Sequence, residues 1–213
     1  MKLYYSPGAC SLCPHIVAKE AGLPLELVKV DLQGKHTETG EDFRQINPNG
    51  YVPVLILDNG RKLIEVAAIV QYLADLAPDK KIAPPAGSFE RYQLQQWLSF
   101  ISTEIHKSFS ALFKPATPEA AKQQAIESLA ARLVTVSEHL STQTFLLGEQ
   151  FSAADAYLFV TLRWSPYLKF DLSRWPLLIS YADKISGRPA VQQALQEEGL
   201  ASAPPEKVFK VNF

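Results

Sequence analysis

Hydrophobic periodicity changes character near residue 77. Up to about Ala77 short alternating runs and helical runs follow one another, whereas beyond Gly87 every periodic stretch has helical spacing. Lys2 to Tyr5 is a short β-type run stopped by Ser6-Pro7-Gly8. Ser11 to Ala21 has Leu12, His15, Ile16 and Lys19 at helical spacing, with Gly22 as the stop. Glu26 to Val30 alternates as a strand does, Gly34 to Gly40 reads as polar loop, and Glu41 to Ile46 as a short helix. Asn47-Pro48-Asn49-Gly50 is a turn signal. Val52 to Leu57 is a buried strand interrupted by Pro53, which asks for an edge, an irregular position or a cis bond. Asp58-Asn59-Gly60 is hairpin chemistry before a return strand over Arg61 to Ile64, and Glu65 to Leu76 is a helix.

The order is therefore β-α-β, an irregular segment, then β-β-α. The first strands need a crossover helix and are expected to be parallel. Residues 1–77 form one expected domain and 78–87, with Pro78, Pro84, Pro85 and Gly87, a linker. Residues 88–200 form an expected all-helical domain and 201–213 a tail lying over the surface. In the helical part Ser88 to Phe113 is one long periodic run, and a second starts at Thr117-Pro118-Glu119 and reaches about Leu140. Ser152-Ala153-Ala154-Asp155 has capping-box form ahead of the apolar run Ala156 to Leu162. Shorter helices are expected over Pro176 to Ser186 and Pro189 to Glu197.

Composition narrows the function. The 213 residues carry 21 Lys+Arg and 22 Asp+Glu, a net charge of −1, which argues against general nucleic-acid binding. With 47% apolar and 20% charged residues the chain reads as globular. No apolar run approaches the roughly 18 residues of a membrane span. Met1 to Pro7 breaks before the apolar region of a signal peptide, and two cysteines make no disulfide framework; the expectation is a reducing cytoplasm.

Those two cysteines, in Cys10-Ser11-Leu12-Cys13, carry the sharpest chemical signal. They follow the first strand and open the first helix, where unpaired N–H groups and the helix dipole favour a thiolate. Cys10 is thus a candidate nucleophile or redox thiol. Cys13, one turn in, reads more readily as a residue facing the core. Zinc is disfavoured because no second ligand pair follows. In the long helix Leu94, Leu98, Ile101, Ile105 and Phe109 make an apolar stripe, and Ser99, Thr103, His106, Lys107 and Ser110 a polar one.

Several segments in order resemble the glutathione S-transferases, and most of all the bacterial beta-class enzymes. They are Tyr4-Tyr5-Ser6-Pro7-Gly8-Ala9-Cys10-Ser11-Leu12, Val30-Asp31-Leu32, Asn47-Pro48-Asn49-Gly50-Tyr51-Val52-Pro53, Gln71-Tyr72-Leu73-Ala74-Asp75 and Ala154-Asp155-Ala156-Tyr157-Leu158-Phe159. The resemblance implies an α+β thioredoxin-like domain (βαβαββα) followed by an all-α domain. It implies glutathione as co-substrate, no metal, a small electrophile as second substrate and a homodimer. Cys10 would lie beside the glutathione sulfur, with His106 near it as donor or proton shuttle. Lys35 would pair with the glycyl carboxylate. Tyr51, Val52 and Pro53 would flank the cysteinyl backbone, with the Val52 main chain bonding to it. Glu65 and the Val66 N–H would hold the γ-glutamyl end at a helix start. Ser99, Thr103, Glu104 and Lys107 would contribute from the helical domain, some across the dimer interface.

Two departures from the family pattern stand out. Position 66 is Val where Ser or Gly is frequent, which leaves only the backbone contact there. Cys13 completes a glutaredoxin-like C-x-x-C, which keeps open a disulfide oxidoreductase using Cys10 and Cys13. A non-catalytic ligand-binding protein on the same scaffold is the alternative of another class. Tyr5, Phe109, Phe113 and Trp164 are candidate walls of an electrophile pocket.

Overall fold

The computed structural model describes residues 1–168 and 170–200; the 201–213 tail lies outside them. The chain divides into two compact units, the first made of residues 1–83 with 189–200, the second of residues 84–188.

In the first unit β1 (Lys2–Tyr5) leads through α1 (Leu12–Glu20) to β2 (Glu26–Asp31). Then come β3 (His36–Thr37), α2 (Phe43–Ile46), the hairpin of β4 (Val54–Ile56) and β5 (Lys62–Ile64), and α3 (Val66–Asp75). The sheet order is β3-β2-β1-β4-β5. β1 and β2 are parallel, as their crossover helix requires, and the other pairs are antiparallel. Tyr4 pairs with both Val28 and Val54, and these join Val30, Val52 and Phe43 in a cluster on one face. One residue back, Leu3 pairs with Leu55; alternation points both to the opposite face, and both are fully buried.

β3 is a correction to the sequence reading, which has loop from Gly34 to Gly40. Two residues are too few to show alternation. They pair with Val30 and Asp31 because Lys35 adopts a left-handed turn (φ 59°) that folds the chain back.

The second unit holds α4 (Phe89–Phe100), a π-helical turn over Ile101–His106, α5 (Lys107–Phe113), α6 (Glu119–Leu140), α7 (Ala153–Leu162) and α8 (Pro176–Ser186). The expected continuous helix from Ser88 to Phe113 is thus interrupted by one wide turn, which a period-based reading does not register. Its apolar stripe stays in the core regardless: Leu94, Ile101, Ile105 and Phe109 are fully buried. Every residue of α7 is buried. Its start is the expected capping box, centred on Asp155. That carboxylate accepts from the Ser152 N–H (2.8 Å) and hydroxyl (2.6 Å), the Leu146 N–H (2.8 Å) and the Tyr181 hydroxyl (2.7 Å).

The expected helical domain of 88–200 needs a second correction. α9 (Pro189–Glu197) belongs to the first unit and packs on α1. The reason is a polar contact inside the core. His15 is fully buried on α1, with Nδ1 at 3.0 Å from Glu198 and Nε2 at 2.9 Å from Glu197. Lys19 donates to the other Glu197 oxygen at 2.7 Å.

Four donors converging on one buried carboxylate predict a large cost for its removal. Asp155→Ala is expected to lower unfolding free energy by about 3 kcal/mol or more, from the buried donors left unpaired. Urea denaturation checks this, and Asp155→Asn is expected to cost less.

Candidate functional site

The turn between β1 and α1 places Cys10. Its shape is fixed from within and from two sides. Ser6 and Ser11 bond reciprocally, the Ser6 N–H to the Ser11 hydroxyl (3.1 Å) and that hydroxyl to the Ser6 carbonyl (3.2 Å). Gly8 has φ +71°, which a side chain disfavours, and its N–H donates to Glu198 at 2.9 Å. The Cys10 thiol donates to the Val52 carbonyl at 3.3 Å, beside a cis Val52–Pro53 bond.

The thiol does not have the low pKa expected from a helix start. Cys10 is only partly exposed, and burial of its sulfur pushes the thiol up to about 12. The N–H groups of Cys10 and Ser11 pull the other way without prevailing, and the charge of Glu65 adds to the rise. Cys13 is fully buried, and burial pushes its thiol well up too. It lies in the core with Leu12, Ile16 and Val17, so its packing is that of a core filler.

The same unit carries six more of the expected positions. The left-handed turn at Lys35 brings its ammonium to 3.0 Å from the Gly50 carbonyl. Its stem crosses Gly50 so closely that a Cβ there would meet Lys35 Cδ at 3.3 Å. Tyr51 is 70% exposed, and Lys35 lies 5.9 Å from its ring. Val52 and Pro53 are buried. Glu65 caps α3 with φ 72°, an uncommon geometry for a residue with a side chain, and its carboxylate is exposed. Val66 follows as the first helical residue, offering its backbone N–H at the dipole's positive end.

The second unit carries the other expected group. His106 ends the π-helical turn, its Nδ1 lies 2.7 Å from the Tyr157 hydroxyl, and its ring packs on Trp164 at 4.8 Å. Burial, and secondarily the Lys107 charge, lower its pKa to about 4, so it is neutral at physiological pH. Ser99 and Lys107 are exposed, and Thr103 donates to the Ser99 carbonyl at 3.0 Å. Glu104 is held at 2.7 Å by Arg132 of α6. Phe109 and Trp164 meet edge to face at 5.8 Å and are both buried, so they form core and not open wall. Phe113 is the partly exposed member of that cluster.

Sequence pattern does not single out the residues that hold these positions in place. Asn47 is buried and donates to the Tyr51 carbonyl at 2.7 Å, shaping the loop that ends at Pro53. The same holds for Glu198, Tyr157 and Arg132, the partners of Gly8, His106 and Glu104. Only His15, a polar residue at core spacing on α1, signalled that a buried polar partner was needed.

A mixed sheet with one helix-start thiol, followed by a helical unit, defines a thioredoxin-like protein with an appended all-α domain. Residues 8–76 match the model of the glutathione S-transferase N-terminal domain, and residues 100–189 that of the C-terminal domain. Glutathione S-transferase GstA of Escherichia coli O157:H7 is 44% identical over 94% of this chain and all of its own. A sphingomonad glutathione S-transferase solved with glutathione is 49% identical, with a TM-score of 0.91 over 94% of this chain and all of that one. A bacterial beta-class glutathione S-transferase of Sphingomonas chungbukensis is 45% identical, also with a TM-score of 0.91 and the same coverage. The chain belongs to the glutathione S-transferase family, on the side of its bacterial beta-class members.

The thiol environments predict a simple reactivity pattern. In the free protein iodoacetamide is expected to alkylate Cys10 slowly at neutral pH, with a rate still rising beyond pH 10, because the thiolate fraction grows toward a pKa of about 12. Cys13 is expected to react only in denaturant. Peptide mapping by mass spectrometry distinguishes the two.

Proposed function

We propose that the protein conjugates the glutathione thiol to small electrophiles, with thiol–disulfide exchange through Cys10 as a lesser activity. The observation that carries this is the Cys10 thiol resting on the Val52 carbonyl, which sets a sulfur on the main-chain rim where an extended peptide can pair. Lys35 supplies a cation at one end of that rim for the glycyl carboxylate. Glu65 and the α3 N-terminus supply an anion and N–H donors at the other, matched to an α-amino acid. Tyr51 flanks the cysteinyl segment. Three features of glutathione, a free carboxylate at each end and one ammonium, fit three features of this edge.

A Cys10 that holds its proton at neutral pH is poorly suited to attack and well suited to donate. On binding, Cys10 S–H turns from the Val52 carbonyl to the glutathione sulfur and stabilises it as thiolate. The Val52 carbonyl is then released to accept from the peptide backbone. Pairing of Glu65 with the ligand's ammonium also removes a charge that holds the Cys10 pKa up. Full burial of Cys13 speaks against a dithiol cycle as the main activity. Family resemblance nominates His106, with Ser99, Thr103, Glu104 and Lys107, as further positions that act on the ligand. The working form is a cytoplasmic homodimer in which part of that set reaches the partner's ligand. No described helix is long and apolar enough to cross a membrane.

Steady-state conjugation with an aryl halide tests the proposal. Wild type is expected to turn over, and Glu65→Ala and Lys35→Ala each to raise KM for glutathione about tenfold with kcat changed less, as for loss of one charged hydrogen bond. Cys10→Ala is expected to lower kcat without abolishing it. Retention on immobilised glutathione with no conjugation would instead make the protein a binding module.

A further inference from the structure

Tyr157 lies on α7, 2% exposed, inside a helix that is buried along its whole length. Its hydroxyl is 2.7 Å from His106 Nδ1, and its ring meets the imidazole edge to face at 5.9 Å. Trp164 closes the imidazole from another side at 4.8 Å. His106 itself ends the π-helical turn that interrupts α4 and α5. One extra residue in a helical turn rotates everything after it by about 100° relative to an uninterrupted α-helix. The wide turn therefore sets which way His106 points, and the Tyr157 hydroxyl is the polar group that meets it there.

We infer that Tyr157 is a positioning residue that fixes both the orientation and the tautomer of His106. The inference rests on His106 belonging to the glutathione site. A phenol is the more acidic donor and an imidazole nitrogen the more basic acceptor, so the Tyr157 O–H donates to Nδ1. A neutral imidazole has one donor and one acceptor, so Nε2 then carries the proton. His106 thus presents an N–H, a group suited to hold a sulfur anion and unable to act as a base from that nitrogen. Burial, which keeps the ring neutral, holds it in this donor state across the physiological pH range.

The test pairs kinetics with spectroscopy on the full-length protein, using aryl halide conjugation and Tyr157→Phe, which retains the ring packing. Tyr157→Phe is expected to lower kcat about fivefold to tenfold, with KM for glutathione within about twofold, as for loss of one hydrogen bond. In a His106→Asn background the same substitution is expected to change kcat by less than about twofold, because its effect passes through the imidazole. Nitrogen-15 NMR of the histidine ring is expected to show the Nε2–H tautomer in wild type and a mixture in Tyr157→Phe. If His106→Asn leaves kcat at the wild-type level, the reading of His106 as a site residue fails and this inference falls with it. If His106→Asn lowers kcat but Tyr157→Phe does not, or lowers it equally in both backgrounds, the inference about Tyr157 alone is overturned. An Nδ1–H tautomer in wild type overturns it as well.

Discussion

The site depends on how tightly the six residues from Ser6 to Ser11 are held. A turn between a strand and a helix has many conformations open to it, and this one has three independent restraints. The Ser6–Ser11 pair closes it internally, Glu198 takes the Gly8 N–H, and the Val52 carbonyl takes the Cys10 thiol. Glu198 is itself fixed by His15 from within α1. A sequence-distant helix, α9, thereby sets the geometry of residues 8 to 10. The His15 cluster joins one buried imidazole to the carboxylates of Glu197 and Glu198, with Lys19 on Glu197. Such groups cost desolvation and are costlier still to break once one partner is removed. That makes α9 part of the sheet domain in energetic as well as spatial terms.

Electrostatics give Cys10 and His106 the same character by opposite shifts. Burial raises the Cys10 thiol and lowers the His106 imidazole, because in each case it penalises the charged form. Both are neutral at pH 7, one as S–H and the other as an imidazole. A neutral donor favours a developing anion on a ligand over an anion of its own. For Cys10 this weighs toward the proposed conjugation and away from redox exchange. The fully buried Cys13 points the same way, since a resolving thiol must reach the sulfur it attacks.

Much of the fold was legible because it is written in local pattern. The parallel β1–β2 pair followed from the helix between Ser11 and Ala21, the hairpin from Asp58-Asn59-Gly60, and the start of α7 from Ser152 and Asp155. What escaped was not local. β3 is set by one left-handed residue, Lys35, and the π-helical turn leaves the apolar stripe of α4 and α5 intact, so neither disturbs periodicity. The membership of α9 in the first unit is decided by Glu197 and Glu198 meeting His15 across more than 180 residues. Cys10, Lys35, Val52 and Glu65 could be nominated from motif order, but the high thiol pKa could not. It depends on packing around the sulfur, which spacing along a helix does not encode.

The edge running from Lys35 past Val52 to Val66 is the proposed seat of glutathione. The most direct measurement is a glutathione titration followed by amide NMR shifts of the nitrogen-15-labelled protein. Saturable shifts are expected at Lys35, Val52, Val66 and Cys10 with a single shared dissociation constant, and little change in the core of α7. Saturable binding that leaves those four amides unmoved, or no binding at all, would contradict it.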